Sequence, residues 1–310
     1  MPPSSAAKAA ATAKEKRHET PARRTDLSAP SRHAVDRAYR LAGELGCPLT
    51  LAHAVAPGMF DGLQALLGVD APALDQSLTA DVAARLAALN ADPQRAHGVL
   101  ADCAVLAGRP IEAIARHADE TAAGLLILGA RGEGFLRQLT LGSTASRLLH
   151  KTRHPVLVVK QPPHESYRRV LVAIDFSPAA LAALRLARQL APGAALTLLH
   201  AVEIPFEGKM HYASVDPGII QQYRIQAQLA GMQKLRELAR AEALPEAETR
   251  LLALHGDAPR VIIEQEQEQD CDLIVVGKRG QHFVEELLLG STTTHVLTEA
   301  QGDVLVAVAD

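Results

Sequence analysis

Three glycines and a hydroxyl residue occur twice in this 310-residue chain at one fixed spacing. The two sets are Gly277, Gly280, Gly290 and Ser291, and, 148 positions earlier, Gly129, Gly132, Gly142 and Ser143. Glycine lets the backbone approach a ligand without a Cβ in the way. A helix that begins at Gly290 would direct free N–H groups and a positive dipole end toward a phosphate. The spacing therefore predicts one binding site for a phosphate-bearing ligand in each copy.

Polar side chains next to the glycines extend this prediction. Thr292 and Thr293 continue the hydroxyl run in the second copy, and Thr144 does so in the first. Lys278 and Arg279 are close enough in sequence to neutralise phosphate charge. They are weaker candidates than the glycines.

A carboxylate stands at the end of the first predicted strand of each copy. Asp175 follows Val170–Ile174, a continuous apolar run that is typical of a parallel strand buried on both faces. Asp26 is its counterpart in the first copy. Open parallel sheets bind ligands outside the carboxyl ends of their strands. We therefore expect Asp175 and the glycine motif to meet at one edge of a sheet, although Asp175 could instead only cap the following helix.

The elements that must position these residues alternate regularly. The second copy predicts strands over 170–174, 195–202, 248–254, 273–276 and 304–308, with helices over 177–190, 218–243, 259–268 and 291–299. The first copy predicts strands over 49–55, 99–105, 125–128 and 156–160, with helices within 63–91 and from 110 and 143. This alternation predicts an α/β fold of two tandem doubly wound parallel sheets, each with five strands.

The first strand of the N-terminal copy departs from the pattern. Residues 14–25, which precede Asp26, carry several charged side chains where a buried strand should lie. Burying unpaired charges in the middle of a sheet is strongly unfavourable. This strand is therefore degenerate, and three alternatives stay open: it is truncated, displaced or missing.

The repeat sets the domain boundaries. We expect a disordered, basic tail over 1–20, a first domain over 21–161, a linker over 162–168 and a second domain over 169–310. The tail lacks the apolar core of a secretory signal. Each copy ends in a short β-branched strand whose edge must be covered. The two copies are therefore predicted to pack as an intramolecular pseudo-dimer, and a homodimer remains an alternative.

Composition narrows the function classes. The net charge is −3, which gives no electrostatic footprint for nucleic acid, and no apolar stretch is long enough for a membrane span. Three separated cysteines predict neither a disulfide framework nor a zinc site, and favour a reducing, cytoplasmic compartment. His150 and His154 have a metal-ligand spacing, but Pro155 follows, so we expect a helix end without a metal.

Familiar catalytic and nucleotide motifs are absent from the sequence. It contains no G-x-x-x-x-G-K-[ST] loop and no complete dinucleotide fingerprint. We find no nucleophile in a recognisable triad motif. His53 and His200, at the ends of the second strands, are expected to pack there rather than to bind metal.

Together these features resemble the universal stress protein (UspA-like) family, in its tandem two-domain form. The resemblance rests on Asp175 after the first strand, on His-Ala-Val ending the second strand at Val55 and Val202, and on the glycine motif. It implies an adenine nucleotide alpha hydrolase-like fold. In the nucleotide-binding branch of that family, equivalent positions hold ATP. The resemblance assigns Asp175 to the ribose or adenine side and Val202 to adenine through its backbone.

We therefore expect an ATP-binding stress-response regulator, with Mg²⁺ as a candidate companion of the nucleotide. The second copy should hold the nucleotide, and Asp26, Val55, Gly129, Gly132, Gly142, Ser143 and Thr144 should form a weaker second site. A nucleotide-free interaction scaffold and a slow ATPase are the alternatives, although nothing in the sequence supplies a base for hydrolysis. Neither nucleic acid nor a membrane is expected as a partner.

Overall fold

The chain divides into two compact units, residues 1–166 and 167–310, with the boundary inside the predicted linker. The structure is a computed structural model that describes residues 22–24, 29–58, 61, 70–92, 95, 97–130, 141–204, 207–278, 280 and 289–309. Within these ranges no helix is both long and apolar enough to cross a membrane.

The first unit is a parallel sheet with helical connections. Its elements are β1 (Ala22–Arg24), α1 (Ala29–Leu45), β2 (Leu49–Val55), α2 (Ala71–Asn90), β3 (Ala101–Ala107), α3 (Pro110–Glu120), β4 (Leu126–Gly129), α4 (Ser143–Lys151) and β5 (Val156–Val159). The strands pair in the order β3–β2–β1–β4–β5, and all pairs are parallel.

The second unit repeats this order. Its elements are β6 (Arg169–Ala173), α5 (Pro178–Leu190), β7 (Ala195–Val202), α6 (Glu207–Tyr212), α7 (Pro217–Ala241), β8 (Thr249–His255), α8 (Ala258–Glu268), β9 (Leu273–Gly277), α9 (Ser291–Glu299) and β10 (Asp303–Ala307). The strands pair as β8–β7–β6–β9–β10, again in parallel. The predicted fold class, two tandem doubly wound sheets, is confirmed.

The elements of the second unit follow from local sequence signals. The apolar residues Val170–Val172 and Leu273–Val276 are at most 2% exposed, because helices cover both faces of a doubly wound sheet. The bounds of β7 and α9 agree with the prediction, and the other predicted bounds move by one or two residues. The short helix α6 was not predicted.

The strand that the sequence left open, β1, is truncated rather than displaced or missing. It is three residues long, yet it holds the central position of its sheet and pairs with both β2 and β4. Arg23 lies opposite Leu51 on one side and Ile127 on the other. The backbone pairing of a central strand is therefore retained where the apolar pattern is lost.

The first testable prediction concerns the start of the long helix α7, where Asp216 is the N-cap. Its Oδ1 accepts hydrogen bonds from the N–H groups of Gly218 and Ile219, at 2.8 and 3.3 Å. Asp216→Ala should lower the free energy of unfolding by about 1 kcal/mol, because a helix cap is lost. Asp216→Asn, which keeps the acceptor oxygen, should retain most of that stability. Urea unfolding followed by circular dichroism measures both, and equal losses in the two variants would contradict a capping role.

Candidate functional site

The carboxyl ends of β6, β7 and β9 border a cavity of about 550 Å³ in the second unit. Strand β6 lies between β7 and β9, so the strand order reverses at this point, which is where open parallel sheets hold ligands. The cavity is lined by eight of the predicted residues: Asp175, Val202, Gly277, Gly280, Gly290, Ser291, Thr292 and Thr293. Arg279, the ninth, lies outside the described residues.

Asp175 is held at the end of β6 by its own turn. Its Oδ1 accepts a hydrogen bond from the Ser177 N–H at 2.9 Å. Gly280 approaches the other carboxylate oxygen so closely that a Cβ on Gly280 would lie 2.8 Å from Asp175 Oδ2. A side chain at position 280 would therefore displace the Asp175 carboxylate from its observed position.

The N-terminus of α9 faces the cavity without a side-chain cap. Gly290 is its N-cap and makes no side-chain hydrogen bond, whereas Ser177, Asp216 and Asp257 cap α5, α7 and α8. The Gly290 N–H donates to the Lys278 carbonyl at 3.0 Å, which holds the glycine at the mouth of the helix. Among the described residues no side chain caps the first amide groups of α9, and the dipole of such a helix end favours a negatively charged group.

Two of the predicted polar groups have structural positions instead. The Thr293 hydroxyl donates to the Gly277 carbonyl at 2.8 Å, and the residue is only 3% exposed, so this hydroxyl fastens α9 to the end of β9. Lys278 is 2% exposed and is not among the residues that line the cavity. The expectation that Lys278 lies next to the ligand is therefore not met by its position.

Phe176, His200 and Lys234 also line the cavity, although no motif pointed to them as site residues. The rings of Phe176 and His200 are 4.7 Å apart, and Lys234 Nζ lies 5.6 Å from the Phe176 ring centre. Phe176 has a φ of +63°, an unusual conformation for a bulky residue, which turns the chain out of β6. These three residues give the cavity an aromatic wall with a cation beside it.

His200 is predominantly neutral near pH 7. Burial lowers the pKa of its imidazole and the Lys234 ammonium lowers it further, whereas the hydrogen bond to Ile174 and the Asp175 carboxylate raise it. The net shift is downward. The prediction that His200 packs at the strand end is met in part, because it packs on Phe176 and also lines the cavity.

Gly231 brings α7 onto this wall. A Cβ on Gly231 would lie 2.8 Å from Cδ2 of His200 and 3.3 Å from Cγ2 of Val202. The close approach places Lys234, one turn further along α7, above Phe176. An isolated glycine inside a predicted helix is the sequence signal that could have indicated this packing.

The first unit repeats part of this arrangement. The Gly142 N–H donates to the Ala130 carbonyl at 2.8 Å, as Gly290 does to Lys278, and the Gly108 N–H donates to the Val55 carbonyl at 3.0 Å. Val55 ends β2, Gly129 ends β4, and Ser143 and Thr144 begin α4. Asp26 and Gly132 lie outside the described residues.

The described ranges hold no group of three or more His, Cys, Asp or Glu side chains that could bind a metal ion. His150 Nδ1 lies 2.8 Å from the Ser146 carbonyl, and His154 Nε2 lies 2.9 Å from Asp119 Oδ1. Both histidines therefore have local structural partners.

Known proteins of one family match this chain along nearly its whole length. Residues 25–160 and 166–307 each match the model of the universal stress protein family. A universal stress protein of Mycolicibacterium smegmatis is 30% identical over 299 residues, which cover 91% of this chain and 94% of the relative. Universal stress protein A homolog 2 of Coxiella burnetii is 32% identical over 146 residues, 46% of this chain and 94% of its own.

The fold is also shared with a solved structure. The crystal structure of a universal stress protein from Archaeoglobus fulgidus has a TM-score of 0.62 and 21% identity to this chain. The match covers 92% of this chain and 97% of that one. The match in fold therefore extends over most of both units.

A second testable prediction compares two glycines inside helices. Gly231→Ala should destabilise the second unit by roughly 1–2 kcal/mol, because the added Cβ overpacks against His200 and Val202. Gly43→Ala in α1 is the matched control. Its Cβ would meet no atom closer than 3.6 Å, so it should stabilise the chain by about 0.5–1 kcal/mol through helix propensity. Urea unfolding gives both free energies, and a gain in both variants would disprove the close contact at Gly231.

Proposed function

Because the chain belongs to the universal stress protein family, we propose that it is a stress-response regulator that binds ATP in its second unit. One observation carries the proposal. The Asp175 carboxylate, the glycine loop after β9 and the uncapped N-terminus of α9 all border a single cavity at the switch point of the sheet.

The phosphates are assigned to the N-terminus of α9. Its amide groups lack a side-chain cap, and Ser291 and Thr292 add hydroxyl donors beside them. Backbone amides at a helix N-terminus, together with the helix dipole, are a common phosphate site. Arg279 would add positive charge to the same loop.

The ribose and the base are assigned to the other end of the cavity. Asp175, an acceptor when ionised, suits the hydroxyl groups of a sugar. A volume of about 550 Å³ is within the range of small-molecule pockets. Mg²⁺ would enter with the phosphates, whose oxygen atoms are ligands that it prefers.

The cytoplasm is the proposed compartment. Cys47, Cys103 and Cys271 are all free thiols, and thiols persist in reducing compartments. The packing of the two copies as a pseudo-dimer, and any homodimer, stay predictions.

For the first unit, the nucleotide-free scaffold is the second candidate. Strand β1 has three residues, whereas β6, which leads to Asp175, has five. The three-residue strand makes fewer pairings with its neighbours than β6 does, so the central strand is fixed less firmly in the first unit than in the second. This difference favours a weaker site, or none, in the first unit.

Gly290→Val tests the phosphate site. Gly290 has an extended backbone conformation that valine adopts easily, so the fold should persist while the branched side chain fills the phosphate position. The dissociation constant for ATP should rise at least about a hundredfold, since bonds to charged groups contribute roughly 1.5–3 kcal/mol each. Gly193→Val, at a site with no neighbour within 4 Å, is the matched control. Isothermal titration calorimetry on the full chain measures the affinity for ATP. An unchanged affinity in Gly290→Val would show that Gly290 is only a turn residue.

Asymmetry between the units is a separate prediction. Gly142→Val, the same change in the first copy, should leave the tight ATP site intact. ATP at a hundredfold excess over the dissociation constant should therefore still raise the free energy of unfolding of the variant's second unit by about 2.7 kcal/mol. Calorimetry and thermal unfolding with ATP measure this. Two sites of equal affinity in the unmodified chain would refute the asymmetry, and loss of the tight site in Gly142→Val would place it in the first unit.

A further inference from the structure

One ring nitrogen of His200 makes a hydrogen bond, and the other makes none with the described residues. Its Nδ1 lies 2.8 Å from the Ile174 carbonyl oxygen. A carbonyl oxygen only accepts hydrogen bonds, so Nδ1 carries the proton of the neutral ring. Nε2 then holds a lone pair, and it has no hydrogen-bond partner among the described residues. The half-buried side chain lines the cavity.

The ring is also fixed in position. Phe176 packs on it at 4.7 Å with a 58° tilt, and Gly231 of α7 closes on Cδ2 from the other helix layer. The hydrogen bond from Nδ1 to the Ile174 carbonyl, directly after β6, fixes the orientation of the ring. The acceptor therefore has a defined place next to an aromatic surface, which is the arrangement of groups that discriminates between heteroaromatic ligands.

We propose that His200 is a specificity-determining residue, whose Nε2 accepts a hydrogen bond from the exocyclic amino group of a 6-aminopurine bound against Phe176. This inference rests on the proposed nucleotide site and adds the group that selects the base. A purine with an oxo group at this position would place its oxygen, a hydrogen-bond acceptor, against the lone pair of His200 Nε2, which is also an acceptor. Leaving a buried acceptor without a donor is costly, so the 6-oxo analogue is disfavoured.

The charges around His200 support the acceptor state. Asp175, at the end of β6, and Lys234, on α7, are the charged groups of the described residues that act on its imidazole. Together with burial they leave the ring neutral near pH 7. A protonated ring would donate from Nε2 and would prefer the oxo group instead.

The test compares ATP with inosine triphosphate, which carries an oxo group in place of the 6-amino group. Calorimetry on the full chain should give ATP a preference of at least about tenfold. In His200→Phe the ring remains but the acceptor is lost, so the preference should fall to about twofold or less. His200→Gln, whose amide can present either a donor or an acceptor, should reduce the preference in the same way if the Phe variant fails to fold.

His255→Gln is the control. His255, on the neighbouring strand β8, is held by Glu207 at 2.8 Å and does not line the cavity, so its substitution should leave the preference unchanged. Equal affinities for the two nucleotides in the unmodified chain, or an unchanged preference in both His200 variants, would overturn this assignment while leaving the proposed ATP site in place. Binding of neither nucleotide would overturn the proposed function and this inference with it.

The pH dependence supplies an independent reading. Because the pKa of His200 lies below the ordinary histidine value of about 6.5, the affinity ratio of the two nucleotides should be constant from neutral pH down to that lowered pKa and should fall as the pH drops through it. Phosphate protonation affects both nucleotides alike and cancels in the ratio. The His200→Phe variant should show a flat ratio over the same range, and a ratio that falls equally in this variant and in the unmodified chain would contradict the role of Nε2.

Discussion

The burial of β6 between β7 and β9 is the constraint on which the second unit depends. Val170–Val172 are fully buried, and the strand pairs on both sides, so its position and register are set by the core. The next residues must leave the sheet at the point where strand order reverses. Asp175, Phe176 and the N-terminus of α5 are placed by this exit, and the loop after β9 reaches the same edge because parallel strands end together.

Close approach between backbone and side chains completes the cavity. Gly280 passes beside the Asp175 carboxylate and Gly231 lies against His200, and in both places a Cβ would come within 2.8 Å of the neighbouring atom. The left-handed backbone conformation of Phe176 is strained, and the surrounding packing keeps the residue in it. The two glycines therefore make room for different neighbours: Gly280 for the Asp175 carboxylate, and Gly231 for the His200 ring beneath α7.

The two copies share the same sheet topology and differ in the central strand of the sheet. Both units have the same strand order, and both hold the glycine at the helix mouth through a hydrogen bond from its N–H to the loop after the fourth strand. The central strand is where they differ, since β1 has three paired residues and β6 has five. Loss of the apolar pattern in β1 shortened the strand without moving it, because its neighbours β2 and β4 still offer backbone partners on either side.

The repeat, the fold class and most element bounds could be predicted from the sequence alone. These depend on local signals: continuous apolar runs for buried strands, Ser177–Pro178 for a helix start, and glycines at a fixed spacing. The eight cavity residues of the motif could be named for the same reason, because a parallel sheet brings strand ends to one edge whatever the details of packing.

Only the tertiary structure decided which side chains complete the cavity and which turn away from it. Lys234 is 59 residues from Asp175 in the chain and enters the cavity only because Gly231 lets α7 pack closely, whereas Lys278 lies within the motif and is buried away from it. Likewise, His53 and His200 occupy the same place in the repeat, yet His53 is 5% exposed and His200 is half-buried at the cavity. The direction and exposure of a side chain depend on the helix that packs over it, and that contact is not written in the local pattern of the strand.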